Sequence, residues 1–246
     1  MPSRATPRQT QDGERWISGS FPPPLSEGLD MASSDAALDW LVELSANIPG
    51  WRAGEAARAV AAAAYELAPN PTIVEVGVFM GRSTFLMAGA RRLHGNGQVY
   101  CVDPFDCSGD PASVPHYVGV LRKFRGQTLE QVFRSQIRHF KLEGTVTVCK
   151  GTSRQIAAGW VKPIDLLLLD ADHSPDGARE AFESWMPFVK RGGIVVLDNT
   201  DERVYEPLHD GNYRIAKERL KPPHFENVRR VENTSFATVA LPHGRL

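Results

Sequence analysis

The sequence lacks several features that would assign it to a common class of protein. Its three cysteines, Cys101, Cys107 and Cys149, do not have the paired spacing of a zinc site. No apolar run approaches the ~20 residues needed to span a membrane. The formal net charge of −1 provides no overall attraction for nucleic acid or anionic lipid. We therefore expect a protein that binds neither nucleic acid nor membranes.

Targeting signals are also missing from the sequence. The first residues do not show the basic and then apolar pattern of a secretory signal. Cys101 and Cys149 lie within apolar strand patterns, so we expect buried thiols that suit a reducing compartment. These features predict a cytoplasmic protein.

The domain organisation follows from length and composition. A chain of 246 residues with 42% hydrophobic content can bury one substantial core. Residues 1–30 are polar and rich in proline and glycine, which predicts a flexible arm. This arm is a candidate for docking on a partner subunit in a homo-oligomer. We expect residues 31–246 to form a single domain that begins with two helices, from Ser34 to Ile48 and from about Ala53 to Leu67.

Strand and helix patterns alternate along the rest of the chain, which is typical of a doubly wound, mostly parallel sheet of the α/β class. The candidate parallel strands are Ile73–Val76, Val99–Val102, Val146–Cys149, Leu166–Leu169 and Ile194–Leu197. The candidate helices between them are Ser83–Leu93, Leu129–Phe140, Arg154–Ala158 and Pro175–Val189. Two final segments, Phe225–Val231 and Ser235–Leu241, predict an antiparallel edge pair.

A glycine-containing turn joins the first strand to its helix. Gly77 and Gly81 would allow the backbone to pass close to a bound ligand. Ser83 and Thr84 are predicted to satisfy the free N–H groups at the start of the helix. The turn therefore predicts a cofactor site.

Two common cofactor motifs do not match this turn. Phe79 stands where the dinucleotide fingerprint has a glycine, and Arg82 stands where a phosphate loop has a lysine. A nicotinamide-dependent oxidoreductase is therefore the less favoured reading of the turn.

What remains is an acidic residue followed by Gly-x-x-x-Gly, and this pattern resembles the first motif of class I S-adenosylmethionine (SAM) methyltransferases. The resemblance covers roughly residues 50–241. It implies a Rossmann-like seven-stranded sheet with an antiparallel C-terminal hairpin, preceded by N-terminal helices. It also implies that SAM is bound by Glu75, Gly77, Phe79, Gly81 and Ser83. A carboxylate suits the α-amino group of SAM through a charge-assisted hydrogen bond.

The ends of the second and third strands supply further cofactor candidates. Asp103 lies roughly 20 residues after the glycine turn, where a carboxylate can accept both hydroxyls of a ribose. Its alternative role is that of a turn residue before Pro104. The segment Gly151-Thr152-Ser153 is similar to the family's Gly-x-Ser segment beside the adenine, which makes Ser153 a cofactor candidate. Either hydroxyl of that segment could equally cap the next helix.

Acidic residues follow the fourth and fifth strands. Because neighbouring strand ends lie close together, Asp170, Asp198 and Asn199 can converge as oxygen ligands, and such ligands suit Mg²⁺. Their spacing resembles the metal triad of catechol and caffeoyl-CoA O-methyltransferases. We also expect Asp170 to contact the cofactor. The alternative is that Asp170 binds only the cofactor and Asp198 only caps a turn.

His173 is the predicted catalytic base. It stands near the position where the metal-dependent families commonly have a lysine, so the sequence departs from their pattern here. A neighbouring cation would lower the pKa of the imidazole and keep it neutral, as a general base requires. The alternative is that His173 caps the helix beginning at Pro175. Asp172 could orient either the imidazole or a metal-bound water.

A long segment, residues 104–127, separates the second strand from the next helical pattern. Segments of this length are typically lids or disordered, and we expect a lid over a small-molecule acceptor. Its basic side chains predict a polar or anionic acceptor, with a solvated loop face as the alternative. They are His116, Arg122, Lys123 and Arg125.

Residues 165–199 are most similar to a bacterial group that includes macrolide-sugar and cephalosporin-pathway methyltransferases. The resemblance implies a SAM-dependent O-methyltransferase, assisted by Mg²⁺, that acts on a small-molecule hydroxyl in natural-product or glycan biosynthesis. The alternatives are a metal-independent enzyme with a nitrogen or carbon acceptor, a non-catalytic SAM-binding protein, and the oxidoreductase above.

Overall fold

The computed structural model describes residues 33–204 and 207–241. The arm predicted over residues 1–30 lies outside the described residues. Within the described part of the chain, no helix has the length and apolar character needed to cross a membrane.

The helices and strands alternate over most of the chain. The helices are Ser34–Ser45 (α1), Gly54–Tyr65 (α2), Arg82–His94 (α3), Val114–Leu121 (α4), Leu129–His139 (α5), Ser153–Ala158 (α6), Pro175–Trp185 (α7) and Gly211–Arg219 (α8). The strands are Thr72–Val76 (β1), Gln98–Asp103 (β2), Val146–Lys150 (β3), Ile164–Leu169 (β4), Val189–Leu197 (β5), Phe225–Val231 (β6) and Thr234–Val239 (β7).

The strands form one seven-stranded sheet in the order β3-β2-β1-β4-β5-β7-β6. Strands β1 to β5 are parallel, and β7 pairs antiparallel with both β5 and β6. The predicted fold class is therefore confirmed, including the C-terminal hairpin. The order reverses between β1 and β4, and in open α/β sheets ligands bind beyond the strand ends at such a point.

The two faces of the sheet bury separate cores because successive strand residues point to opposite sides. On β1, Ile73 belongs to a core shared with α1, α2, α3 and α5, whereas Val74 belongs to one shared with α7 and α8. All side chains of β4 from Leu166 to Leu169 are buried. This burial explains the continuous apolar run of that strand.

One predicted helix boundary was wrong. The apolar pattern predicted a helix as far as Val189, but α7 ends at Trp185 and a 3₁₀ turn covers Met186–Phe188. Pro187 lies in that turn and has no N–H group to continue a helical ladder. Val189 then begins β5, which starts earlier than predicted.

The segment predicted as a lid contains a helix that the sequence analysis did not predict. Helix α4 and a following 3₁₀ turn, Arg122–Phe124, occupy its second half. Pro115 lies in the first turn of α4, where a missing N–H group is tolerated. No residue of α4 is buried. The lid function of this segment stays a prediction.

Candidate active site

A cavity of about 890 Å³ lies beyond the carboxyl ends of β1, β2, β4 and β5. It is the place that the reversal of strand order predicts for a ligand. The predicted site residues that line it are Glu75, Gly77, Phe79, Ser83, Asp103, Ser153, Asp170, His173, Asp198 and Asn199. Gly81 is not part of the lining.

The two glycines of the turn make room for protein atoms. Gly77 has φ +85°, and a Cβ built on it would lie 2.2 Å from the carbonyl oxygen of Asp170. Gly81 has φ +93°, and its Cβ would lie 2.8 Å from the ring of Phe133. The sequence analysis explained both glycines by a ligand, whereas the structure explains them by close packing of the turn on β4 and α5.

The hydroxyls at the start of α3 do not cap the helix as predicted. Its N-cap residue is Gly81, which has no side chain to accept a hydrogen bond. Ser83 Oγ instead accepts a hydrogen bond from Arg52 Nε at 2.9 Å. Thr84 donates its hydroxyl to the carboxylate of Glu75. Both hydroxyls therefore orient other charged side chains of the site.

Glu75 lies at the bottom of the cavity and is only 1% exposed. Burial raises the pKa of its carboxyl to about 8, although the hydrogen bond from Thr84 opposes this shift. Among the described residues no cation lies within hydrogen-bond distance of this carboxyl. An added cation beside Glu75 would stabilise its charged form.

Asp103 holds the glycine turn against the end of β2. One carboxylate oxygen accepts the backbone N–H groups of Val78 at 2.8 Å and Phe79 at 3.1 Å. The other accepts the N–H group of Phe105 at 2.6 Å. Both oxygens therefore already have backbone partners, which supports the alternative role as a turn residue. A contact with ribose stays a prediction.

Two hydroxyls at the start of α6 have different partners. Thr152 caps the helix in a reciprocal pair with Gln155. Ser153 accepts a hydrogen bond from the indole nitrogen of Trp185 at 3.0 Å, which links α6 to α7. The sequence left open which of the two hydroxyls caps α6, and the structure shows that it is Thr152.

Arg52, which the sequence analysis did not identify, lies between two of the predicted metal ligands. Its Nη2 lies 2.9 Å from Asp170 Oδ2, and its Nη1 lies 3.2 Å from Asp198 Oδ1. The two carboxylates do converge, but on a guanidinium group. Burial raises the pKa of both carboxyls, and the charge of Arg52 lowers it. The net pKa is raised for Asp198 and lowered for Asp170, because Asp170 also accepts a hydrogen bond from His173.

The third predicted ligand, Asn199, takes part in a different network. Its amide oxygen accepts a hydrogen bond from Asn233 at 2.7 Å. Its amide nitrogen lies 3.0 Å from His209 Nε2, and the other ring nitrogen of His209 lies 2.9 Å from Asp110. This network connects the end of β5 to the start of the predicted lid segment.

His173 is buried, with 4% exposure, and pairs with Asp170. Its Nε2 lies 3.4 Å from Asp170 Oδ1, and its Nδ1 lies 3.3 Å from the amide nitrogen of Asn212. Because an amide nitrogen only donates, this contact indicates that neutral His173 carries its proton on Nε2.

The pKa of His173 departs from our expectation. Burial lowers the pKa of the imidazole, but the hydrogen bond and the charge of Asp170 outweigh it, so the pKa is raised. The sequence analysis predicted a lowered pKa from a neighbouring cation. In the structure the group next to the ring is a carboxylate, which acts in the opposite direction; the effect of a bound metal ion stays a prediction.

The start of α7 is capped without His173. Ser174 is the N-cap and accepts a hydrogen bond from Gly177 N. Asp172, for which two catalytic roles were open, accepts the backbone N–H group of Ser174 at 2.8 Å. The capping alternative for His173 is therefore wrong, and Asp172 orders the turn before α7.

Three aromatic rings form a group at the cavity. The ring centroids of Trp51, Phe79 and Tyr117 are 5.1 to 5.5 Å apart in each pair. Trp51 is 58% exposed, which is unusual for so large an apolar side chain. We call these residues the aromatic group. It combines one ring from the glycine turn with two from outside it.

Comparison with known proteins assigns the family. A family model described as a methyltransferase domain matches residues 74–200, which is more than half of the chain. The chain belongs to this methyltransferase family. The match contains the glycine turn and the ends of β1 to β5, so the enzyme is a SAM-dependent methyltransferase and the oxidoreductase alternative is excluded.

Solved structures share the fold of this methyltransferase. The O-methyltransferase NovP is 16% identical with a TM-score of 0.62, over 85% of this chain and 100% of NovP. An O-methyltransferase from Bacillus cereus, solved in complex with SAH, is 16% identical with a TM-score of 0.52, over 92% and 96% of the two chains. A SAM-dependent O-methyltransferase from Thermotoga maritima is 15% identical with a TM-score of 0.54, over 83% and 73%.

The donor chemistry of the methyltransferase fits SAM. Among the described residues the buried carboxyl of Glu75 has no cation within hydrogen-bond distance, and the α-amino group of SAM would supply one. Contacts of Asp103 and Ser153, which line the same cavity, with the nucleoside part stay predictions.

The three predicted metal ligands fit a magnesium ion less well than the cavity fits SAM. Two of the three predicted ligands already pair with Arg52, and the third accepts a hydrogen bond from Asn233. Within residues 33–204 and 207–241, no group of three or more histidine, cysteine or acidic side chains has the arrangement of a metal site. The magnesium site therefore stays a prediction.

The residues that the sequence analysis missed share one property. Arg52, Asn212 and Asn233 lie outside the segments that directly follow the parallel strands, and no motif surrounds them. The local sequence Pro49-Gly50-Trp51-Arg52 indicates an ordered loop and nothing more. No signal in the sequence connected that loop to Asp170.

The packing of Gly77 gives a first prediction. Gly77→Ala should destabilise the protein more than Gly192→Ala, although both positions have positive φ, +85° and +77°. Each alanine loses about 1–2 kcal/mol to the left-handed conformation. Only at Gly77 does the Cβ also clash with backbone, since nothing lies within 4 Å of a Cβ at Gly192. Urea unfolding measures the difference, and equal losses would contradict the assigned clash.

The pKa of Glu75 gives a second prediction. In the unfolded chain this carboxyl ionises near 4.5, and in the fold near 8. Its protonated form therefore adds stability that is present below pH 4.5 and is lost as pH rises through 8. Glu75→Gln keeps an acceptor for Thr84 and does not titrate, so its free energy of unfolding should fall less between pH 5 and pH 9.

Thermal unfolding across this pH range tests the effect in the protein without SAM. Glu130→Gln is the matched control, because that carboxylate is only half-buried, lies outside the cavity and is bonded to Lys150 and Arg134. If the profiles of wild type and Glu75→Gln coincide, Glu75 does not titrate in this way.

Proposed function

We propose that this methyltransferase transfers the methyl group of SAM to a hydroxyl oxygen of a small, uncharged acceptor. The observation that carries the proposal is the pair formed by His173 and Asp170 at the cavity, with 3.4 Å between ring nitrogen and carboxylate oxygen. A hydroxyl must release a proton when its oxygen is methylated, and this pair is suited to take it.

The dimensions of the cavity support a small acceptor. Its volume of about 890 Å³ lies near the upper end of the ~300–1,000 Å³ typical of small-molecule sites. The cavity therefore accommodates a cofactor together with a small second ligand. The carboxyl ends of β1 and β2 form the cofactor half, and the ends of β4 and β5 form the acceptor half.

SAM supplies a methyl group bound to a sulfonium sulfur. The leaving group of the transfer to the acceptor oxygen is S-adenosylhomocysteine (SAH). The protein contributes position and proton transfer. The glycine turn and Glu75 hold the donor, and the acceptor half places a hydroxyl next to Asp170. The hydroxyl proton then passes to the carboxylate of Asp170, which the Nε2–H group of His173 holds in place from 3.4 Å.

The charges around the cavity favour an uncharged acceptor. The lining includes the acidic side chains Asp172, Asp176, Glu180 and Asp201. The basic side chains of the predicted lid are exposed and do not line the cavity, apart from His116. The anionic acceptor predicted from those side chains is therefore disfavoured. Acidic side chains accept hydrogen bonds from hydroxyl groups, and the aromatic group offers apolar faces to a ring.

The comparisons agree with an oxygen acceptor, since NovP and the proteins from Bacillus cereus and Thermotoga maritima are named O-methyltransferases. The sequence resemblance to macrolide-sugar and cephalosporin-pathway enzymes supports a role in natural-product or glycan biosynthesis. A cytoplasmic location and homo-oligomers formed through the N-terminal arm complete the proposal. Size-exclusion chromatography with and without residues 1–30 tests the latter.

An activity assay tests the acceptor class. We expect SAH and an O-methylated product when the protein is incubated with SAM and a panel of hydroxylated small molecules, analysed by mass spectrometry and NMR. His173→Gln should lower turnover by ~10²–10⁴, the range of general acid–base catalysis, because it disturbs the partner that holds the Asp170 carboxylate in place, with unchanged SAM affinity. His116→Gln, another histidine of the lining, is the control. Methylation of nitrogen or carbon would move the enzyme to the alternative class.

The aromatic group gives a separate prediction about acceptor binding. Trp51→Ala should raise KM for the acceptor, because it removes the most exposed ring of the group. Trp51→Phe keeps an aromatic face and should retain most of the affinity. Steady-state kinetics with saturating SAM separates the two variants. An unchanged KM in Trp51→Ala would show that the acceptor does not contact this ring.

A further inference from the structure

Arg52 is a buried and extensively bonded charged group of the site. Its side chain is 2% exposed. Besides the two carboxylates, it donates to Ser83 Oγ at 2.9 Å and to Thr234 Oγ1 at 3.0 Å. Thr234 in turn donates its hydroxyl to Asp198 at 2.9 Å. The guanidinium therefore connects α3, β4, β5 and β7 at one point.

The backbone around Arg52 is held in place on both sides. Arg82 donates to the carbonyl groups of Ala46, Ile48 and Arg52 at 3.2, 2.6 and 3.1 Å. After Arg52, the first turn of α2 is bound by Glu232, whose carboxylate accepts the N–H group of Ala56 at 3.0 Å. Withdrawal of Arg52 from the site would break these contacts or require its side chain to adopt a different rotamer.

Two carboxylates at neighbouring strand ends repel each other unless a cation lies between them. A divalent metal ion can fill this role, and so can the planar fork of a guanidinium group. In this protein the guanidinium already contacts both carboxylates at 2.9 and 3.2 Å. A metal ion on the same oxygens would face a positive charge that is buried and already bonded to both carboxylates.

We propose that Arg52 is a built-in cation that takes the place of a divalent metal between Asp170 and Asp198. It acts as a positioning residue, because it orients Asp170 toward His173 and makes no contact with reacting atoms. The proposed arrangement predicts a methyl transfer that needs no added metal. That last consequence rests on the proposed function, whereas the arrangement itself does not.

Metal binding tests the arrangement without an activity assay. Mn²⁺ is titrated into the full chain and followed by electron paramagnetic resonance. In wild type we expect no Mn²⁺ site that depends on Asp198, so the substitution Asp198→Asn should leave the Mn²⁺ signal unchanged. Arg52→Ala frees both carboxylates and should create such a site, and the double variant Arg52→Ala/Asp198→Asn should lose it. A wild-type Mn²⁺ site that depends on Asp198 would overturn the proposal, whether or not Arg52→Ala folds.

Thermal unfolding provides a second, independent readout. Arg52→Ala should lower Tm by roughly 6–20 °C, the shift expected when one partner of a buried ion pair is lost in a chain of this size. Mg²⁺ or the second substitution Asp198→Asn should restore part of this loss. Arg58→Ala is the matched control, because Arg58 also contacts two carboxylates but at the surface. Its Tm should fall by less than about 4 °C.

Arg52→Lys separates charge from geometry, since lysine keeps one positive charge without the fork. It should still exclude Mn²⁺, whereas Arg52→Ala should not. If the Tm of Arg52→Ala responds neither to Mg²⁺ nor to Asp198→Asn, the pairing with the carboxylates is not what Arg52 contributes, and the proposal fails.

Chelation then connects the arrangement to catalysis. Once an acceptor has been found, wild-type turnover should be unchanged in excess EDTA, and loss of activity that Mg²⁺ restores would overturn the proposal. If no acceptor is methylated, the proposed function fails, but the Mn²⁺ and Tm measurements still decide the role of Arg52. The two failures are therefore distinguishable.

Discussion

The carboxyl edge of the sheet gathers acidic side chains, and each needs a way to tolerate burial. Glu75 does so by a raised pKa, which favours its neutral form. Asp103 accepts three backbone N–H groups. Asp170 and Asp198 share the guanidinium of Arg52. A charge without one of these solutions would cost several kcal/mol. The positions of the glycine turn, the loop before α2 and the start of β7 follow from these contacts.

These solutions divide the cavity into two halves with different chemistry. In the cofactor half, Glu75 has a hydroxyl partner but, among the described residues, no cation in contact, which suits a ligand that brings its own positive charge. In the acceptor half, His173 and Asp170 form the pair that we propose to take the proton of the acceptor, and Arg52 contacts the same carboxylate. In the proposed function, one sheet edge therefore serves both binding of a charged donor and removal of a proton.

Secondary structure was largely predictable because periodicity in the sequence reports directly on burial. The apolar run at Leu166–Leu169 indicated a buried parallel strand, and the acidic residues after it indicated a site. Errors occurred where partners compete. Ser83 and Thr84 have the composition of helix caps, yet a guanidinium and a carboxyl lie within their reach. The structure pairs these hydroxyls with the charged groups, and local sequence does not record those neighbours.

By itself, the sequence determined the class of fold, the order of the seven strands along the chain, and the acidic residues that follow β4 and β5. These properties depend on spacing along the chain, since the residues that follow a parallel strand lie at the carboxyl edge of the sheet whichever strands are its neighbours. Only the tertiary structure decided which cation meets those carboxylates. Arg52 lies 118 residues from Asp170 and belongs to a loop without a motif. Hydrogen bonds between residues so distant are set by packing of the whole domain, and no local pattern encodes them.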